Sequence, residues 1–402
     1  MDFETTAIPM PDDYEGQVIT TIIKAHATVS SARAVLYVHG YTDYFFQEHF
    51  AERMTEHGLN FYAVDLRKYG RSLLPWQHPN YCRDMSEYYP DIDKAVETIL
   101  ADGNTDITLV GHSTGGLLCA LYCAFGDRRK SIGRLILNSP FLEFNVPWVL
   151  RKTVIPVVAA LGKAFPYAHT ASVLSPVYFR SVHSSEKGEW NFNTEFKPKN
   201  GFPLYFAWVG AVKRGQSTIK HGLALDIPIL LMSSEKSYKG RAWNYKAAHS
   251  DTVLDVEHIR RYGMRLGDDV ESVSFRGGLH DLVLSEKEVR DAVMEKMAEF
   301  IVNNRCCRAL VRAENKVFTY RFVIFAKHFL HWECVAVKND YLYGKTQKRP
   351  LDRGTQDGRC QSIVACKRNE TRAVRKTDYR SGQFVYAVRA GSYASARNRS
   401  KG

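Results

Sequence analysis

Short apolar, β-branched runs spaced by helical patterns constrain this chain more than any other feature. The runs are Val18–Ile23, Ala34–Val38, Phe61–Val64, Ile107–Val110, Leu135–Leu137, Ile229–Met232 and Val273–Phe275. Strands apolar on both faces belong inside a mostly parallel sheet covered by helices on each side. Between them, Ile92, Ala95, Val96 and Ile99 recur at helical spacing, as do Val289, Val293, Met297 and Phe300. Ser285-Glu286-Lys287-Glu288 reads as a capping box opening the second of these helices. The fold class is therefore α/β, with a mostly parallel central sheet flanked by helices.

The rhythm fails in two places. From about 141 to 227 it gives way to an aromatic-rich stretch that includes Trp148, Phe165, Tyr178, Trp190, Phe192 and Trp208. This stretch is expected to form an inserted cap over the carboxyl edge of the sheet, where open α/β sheets bind ligands. From 303 to 402 there are 22 Lys+Arg against 7 Asp+Glu, a net of +15, whereas the whole chain carries +12. Residues 1–302 are thus at −3, and the basic character belongs to the last hundred residues. That tail, rich in Arg, Lys, Gly, Ser and Asn without periodicity, cannot bury much core and reads as disordered. The expected organisation is a catalytic domain at 1–302 and a basic, low-order tail at 303–402.

Other classes find little support. The N-terminus lacks the basic start and apolar core of a signal peptide, and no apolar run reaches the roughly 18–20 residues of a membrane span. A cytoplasmic protein with reduced thiols is expected. The eight cysteines show no zinc spacing, so no metal is expected. The basic tail contains no recognisable nucleic-acid module, and its charge reads as a solvated face.

Chemistry is concentrated at Gly111-His112-Ser113-Thr114-Gly115-Gly116, which follows the run Ile107–Val110 and precedes the helical Leu117–Phe125. This is the strand–turn–helix setting of a Gly-x-Ser-x-Gly nucleophile elbow, which makes Ser113 the candidate nucleophile. The glycines let the turn pass close to its neighbours, and the helix N-terminus behind the serine favours developing negative charge. A hydroxyl needs a base, and His280, in the loop Gly277-Gly278-Leu279-His280 after the last strand, is placed to supply one. His39 and His112 are read as structural. The acid is less sharply marked: Asp251 is preferred, because 29 residues before His280 leave room for one helix and one strand, but Glu235 and Asp255 are alternatives. Two backbone donors are expected to hold the oxyanion, the N–H of Thr114 and that of Tyr41 in the loop His39-Gly40-Tyr41-Thr42.

These segments, taken in order with Asp65-Leu66-Arg67-Lys68-Tyr69-Gly70-Arg71-Ser72, resemble the monoacylglycerol lipase and lysophospholipase branch of the α/β-hydrolases, often labelled serine aminopeptidase-like. The resemblance covers residues 15–302. It implies an α/β-hydrolase fold with an eight-stranded core, hydrolysis of a lipid-like ester without a cofactor, and an acid-to-histidine spacing like that of Asp251 and His280. Lys68-Tyr69 depart from the Gly-plus-polar pair usual after the arginine. Asp65 and Arg67 are expected to fix that loop as an ion pair. The leading expectation is a serine esterase or lipase acting through an acyl-serine, with peripheral contact to lipid surfaces through 146–165. A serine aminopeptidase and a non-catalytic ligand-binding protein are the competing readings.

Overall fold

The computed structural model describes residues 2–172, 176–303 and 383–386. The chain begins with β1 (Glu4–Asp13), β2 (Gly16–Ala25) and β3 (Arg33–Val38), then α1 (Glu48–Glu56) and β4 (Asn60–Asp65). Next come α2 (Tyr89–Ala101), β5 (Asp106–His112), α3 (Thr114–Phe125) and β6 (Ile132–Asn138). The inserted stretch holds α4 (Trp148–Ala164), β7 (His169–Thr170), α5 (Pro176–Val182), β8 (Leu204–Tyr205) and α6 (Phe206–Lys220). The sheet resumes with β9 (Ile229–Ser234), α7 (Val256–Gly263), β10 (Val270–Phe275) and α8 (Lys287–Asn303), and a last strand, β11, spans Gln383–Tyr386.

Nine strands form one sheet in the order β1-β2-β4-β3-β5-β6-β9-β10-β11. The β1–β2 and β2–β4 pairs are antiparallel and every other pair is parallel. All seven expected strands are present, and the first eight strands of this order make up the eight-stranded core. The outer strand β1 was not marked by the sequence pattern, because Pro9 and Pro11 interrupt it; such residues suit an edge strand. The tail falls outside the described residues except for Gln383–Tyr386, which lies parallel to β10 with Ser272 opposite Gln383.

Two apolar layers sandwich the sheet. One packs Ile92, Val96, Leu117, Leu121 and Val212 of α2, α3 and α6 against one face. The other packs Phe50 and Met54 of α1 with Val293 and Met297 of α8 against the opposite face. At about 25 cal/mol per Å² of apolar surface removed from water, this burial on both faces is the main force holding the sheet.

The inserted stretch is more helical than its pattern suggested. Helix α4 has Pro156 within it and apolar residues around much of its circumference, so no single face repeats. It packs against α6 where Gly162 meets Phe206; a Cβ there would lie 2.4 Å from the Phe206 backbone. Its outer side leaves Trp148, Val149, Val154, Val157, Leu161 and Phe165 exposed.

The loop after β4 departs from expectation. Asp65 and Arg67 do not pair. Asp65 ends the strand and holds Arg71 at 2.7 Å, whereas Arg67, in the turn beyond, reaches Asp91 of α2 at 2.7 Å. Both remain structural, with separate partners. Lys68 adopts φ +63° and buries its ammonium on Asp13 (2.7 Å) and Glu15 (2.8 Å), so the unusual lysine ties the β1–β2 turn to the loop after β4. Helix α8 begins at Lys287, one residue later than a cap at Ser285 requires, and the Ser285 hydroxyl accepts the Leu279 N–H at 2.9 Å.

Candidate active site

Strand β5 delivers the candidate nucleophile, Ser113, to the middle of the sheet. Its register sets His112 opposite Asn138 of β6, so Ser113 is the first residue beyond the carboxyl edge. The backbone there turns sharply: Ser113 has φ +52° and ψ −116°, a conformation costing of order 1–3 kcal/mol that only tight packing sustains. The packing is tight because two glycines permit it. A Cβ at Gly111 would come within 2.6 Å of the Gly115 carbonyl oxygen, and one at Gly115 within 2.3 Å of that of His39. The Ser113 N–H donates to the Asn138 carbonyl at 3.0 Å, which fixes the turn against β6.

His280 comes from the loop after β10, held by the Leu279–Ser285 hydrogen bond. Its Nε2 lies 3.0 Å from Ser113 Oγ and its Nδ1 lies 2.9 Å from Asp251 Oδ2. The other carboxylate oxygen of Asp251 accepts the N–H groups of Val253 and Leu254, each at 2.8 Å, so the acid is pinned before it meets the imidazole. Asp251 is fully buried and His280 is 3 % exposed, while Ser113 retains 9 %. An Nδ1–H facing Asp251 leaves Nε2 free to accept the serine proton.

The alternative acids are elsewhere. Glu235 directs its carboxylate toward the neighbouring Lys236, with Oε2 3.9 Å from Nζ. Asp255 caps α7 by accepting the Glu257 N–H at 3.1 Å and pairs with Lys239 at 2.8 Å. The stretch from Ser237 to Asp251 is a loop closed by a bridge between those two residues, which carries Asp251 back to the histidine.

The expected oxyanion loop borders the serine. A Cβ at Gly40 would sit 3.1 Å from Ser113 Cβ, tighter than ordinary contact, so glycine lets this loop approach without displacing the serine. The Tyr41 side chain turns away, donating to the Pro203 carbonyl at 2.9 Å and packing on Trp208 at 4.3 Å between centroids. It can therefore contribute only its backbone to the site. Thr114 opens α3, and the first amides of a helix have no intrahelical acceptor. His39 serves the loop: its Nδ1 lies 2.8 Å from the Gly40 carbonyl and its Nε2 accepts the Leu66 N–H at 3.1 Å.

A second buried polar cluster, which the motifs above do not include as a unit, adjoins these residues. Asp43, His112 and Asp281 bring their side-chain ligand atoms within 4.8 Å of one another, the one such set among the described residues with the composition of a metal site. A cation of the chain already serves it, because Lys197 Nζ lies 2.5 Å from Asp43. Asp281 accepts hydrogen bonds from Asn138 (2.7 Å) and Gln47 (3.1 Å). Burial favours its neutral form, but His112, Lys197 and those hydrogen bonds outweigh it and hold the carboxyl below the usual carboxylate range. Burial lowers the pKa of His112, whose Nδ1 meets the Asn138 carbonyl at 3.2 Å. Burial, reinforced by Asp281 and Asp43, raises the Tyr178 phenol well above its usual range, so it stays a neutral hydroxyl. Asp281 was within reach of sequence reasoning, since an acid directly after a candidate catalytic histidine is conspicuous. Lys197, in an irregular loop, was not.

Comparisons with known proteins identify the family and the fold. The family model described as "Serine aminopeptidase, S33" matches residues 30–288, more than half of the chain. The chain is 22% identical over 213 residues to the AB hydrolase superfamily protein YisY of Bacillus subtilis (strain 168), covering 52% of this chain and 75% of that protein. A soluble variant of monoglyceride lipase from Saccharomyces cerevisiae aligns with a TM-score of 0.55 at 15% identity, covering 74% of this chain and 94% of the other. The monoacylglycerol lipase of Paleococcus ferrophilus aligns with a TM-score of 0.53 at 18% identity, covering 70% and 98%. At such identities the two lipases establish the α/β-hydrolase fold alone.

Proposed function

This chain belongs to the serine aminopeptidase family S33 of α/β-hydrolases, and from that premise we propose that it is a serine hydrolase cleaving a carboxylic ester of lipid-like character through an acyl-serine intermediate. The observation carrying this reading is the Asp251–His280–Ser113 relay, with links of 2.9 and 3.0 Å, on a strained elbow beside the Gly40 loop. Ser113 Oγ attacks the carbonyl carbon as His280 Nε2 takes its proton. The backbone N–H groups of Tyr41 and Thr114 take the oxyanion. His280 then protonates the departing alcohol, and water, deprotonated by the same imidazole, releases the acid and restores Ser113. Asp251 keeps the proton on Nδ1 and stabilises the imidazolium.

Two features favour an ester with an apolar acyl group. Phe141, whose N–H donates to the Ser113 carbonyl at 2.9 Å, packs on Phe144, and Tyr41 beside Gly40 packs on Trp208, so the surroundings of the elbow are largely apolar. The exposed apolar side of α4, with Lys152 and Lys163 also exposed on this helix, suits peripheral contact with a lipid surface. Among the described residues no helix is long and apolar enough to cross a membrane.

The family label raises aminopeptidase activity as a second reading. A peptidase of this kind needs a free carboxylate for the substrate amine. Glu143 is taken by Lys220 at 2.6 Å and Arg151 at 3.5 Å, Glu186 by Lys199 and Arg180, and Glu189 by Arg290, while Glu195 is exposed. These pairings favour the ester. The deciding experiment compares p-nitrophenyl esters of increasing acyl length with aminoacyl p-nitroanilides. Faster turnover of the esters, rising with chain length, is expected; preference for the anilides reverses the assignment.

A further inference from the structure

The inserted stretch does more than cover the sheet. Between Trp190 and Lys197 it runs beside the residues that follow the Gly40 loop, and the two segments engage at successive points. Trp190 stacks on His49 at 4.2 Å, Phe192 packs on Phe46 at 4.9 Å, and the Tyr44 hydroxyl accepts the Asn193 N–H at 2.7 Å. The strap ends with Lys197 on Asp43. Both are buried, Lys197 at 7 % exposure and Asp43 at 2 %. The ammonium also lies over the rings of Phe46, Phe192 and Tyr178, at 5.1, 5.5 and 5.8 Å from their centroids. Cut off from water, such a pair acts as a unit, and removing one member leaves the other a buried, uncompensated charge.

Asp43 lies two residues beyond Tyr41. Thr42, between them, sits at φ +51°, an outlying conformation for a β-branched residue. Thr42 does not hold that shape by its own preference, so the loop must be fixed from outside. On one side Asn80 Oδ1 accepts the Thr42 N–H (3.1 Å) and hydroxyl (3.3 Å). On the other side stands the Lys197–Asp43 pair.

We propose that Lys197 is a positioning residue: its ammonium, delivered by the inserted strap, fixes Asp43 and so holds the Gly40–Asp43 loop where the Tyr41 N–H can bind the oxyanion. This rests on the serine-hydrolase reading above. Lys197 touches no reacting atom; it acts through Asp43 on a backbone donor. Its effect falls on the transition state, where the oxyanion develops, and little on substrate affinity.

The test uses the full chain with Lys197→Met, Lys197→Arg and the charge-free pair Asp43→Asn/Lys197→Met. Readouts are melting temperature, kcat and KM on a short p-nitrophenyl ester with active sites titrated, and the rate at which a fluorophosphonate labels Ser113. Losing one oxyanion donor costs about 100- to 1,000-fold in kcat, so a displaced donor should cost about tenfold or more, with KM within about threefold. Lys197→Met should show that loss in both kcat and labelling rate, and Lys197→Arg should recover most of it. In the charge-free pair the orphaned carboxylate is gone, so melting temperature should recover while kcat stays low. A merely structural lysine predicts that kcat recovers with the melting temperature. Should Lys197→Met fail to fold, the charge-free pair alone decides. A folded variant lacking the ammonium with wild-type kcat and labelling rate overturns the inference and leaves the serine-hydrolase reading standing. Failure of the wild-type chain to label at Ser113 overturns both.

Discussion

Asp251 meets His280 with one carboxylate oxygen, 2.9 Å from Nδ1, while its other oxygen is held by two backbone N–H groups. The acid is thus oriented from behind, and its charge is directed at the imidazole. Asp251→Asn keeps the shape but can stabilise the wrong tautomer. It should lower kcat by about 10⁴-fold with little change in melting temperature. Glu235→Ala should retain near wild-type turnover. Asp255→Ala should keep kcat and lose about 1 kcal/mol of stability, because it removes a helix cap. Steady-state kinetics with denaturant unfolding on the three variants checks this, and wild-type turnover in Asp251→Asn would reassign the acid.

His112 gives the fold a pH dependence separate from catalysis. Burial holds its pKa below the ordinary 6.5, so the folded chain resists a proton that the unfolded chain accepts. Below pH 6.5 the unfolded state binds more protons, and stability falls as pH falls. Asp281, with its pKa below 3.8 in the fold, contributes stability above that value and loses it only in stronger acid. Unfolding free energies measured between pH 7.5 and pH 5.5 should therefore decline in the wild-type chain. The decline should be shallower in His112→Gln, and equal slopes would remove His112 as its source.

Much of the candidate site is legible in the chain because it is local. The elbow is a contiguous motif between a strand and a helix, and the glycines around Ser113 are required by contacts of 2.3 and 2.6 Å that any Cβ would violate. His280 and Asp251 are distant in sequence, but the order of strands and helices restricts where each loop can return. Buried charge could not be read this way. Lys68 and Lys197 look like surface residues in sequence, and each is buried because carboxylates from a distant segment meet it: Asp13 and Glu15 in one case, Asp43 in the other. The same limit explains Asp65 and Arg67, whose spacing suggested a pair but whose partners lie on other elements. Helix α4 leaves little helical signal in the sequence because Pro156 and apolar residues around much of its circumference blur the one-sided periodicity that marks a soluble helix.

The apolar side of α4 predicts lipid binding. Val157 and Phe165 are exposed at 58 % and 63 %, so replacing both with Ser should cost little stability. It should reduce co-sedimentation with phosphatidylcholine–phosphatidylglycerol vesicles and slow turnover of long-chain esters presented on them. Hydrolysis of a short water-soluble ester should stay at the wild-type rate. Unchanged vesicle binding would remove α4 as the contact.

The charge boundary near 302 in the sequence predicts that the basic tail is dispensable for chemistry. Every residue of the relay and of the Gly40 loop lies before it, and β11 adds only a parallel partner along β10. Deleting residues 306–402 should leave a folded chain whose kcat/KM on a short ester is within about threefold of wild type. Loss of folding or of turnover would make the tail part of the catalytic unit.

The central claim is that Ser113 is a nucleophile activated by His280. Its most direct test is the intact mass of the protein after incubation with a fluorophosphonate, followed by mapping of the modified peptide. One adduct, on Ser113, is expected in the wild-type chain, with none in Ser113→Ala and a greatly slowed reaction in His280→Ala. An unmodified wild-type chain, or an adduct that persists in Ser113→Ala, would contradict the account.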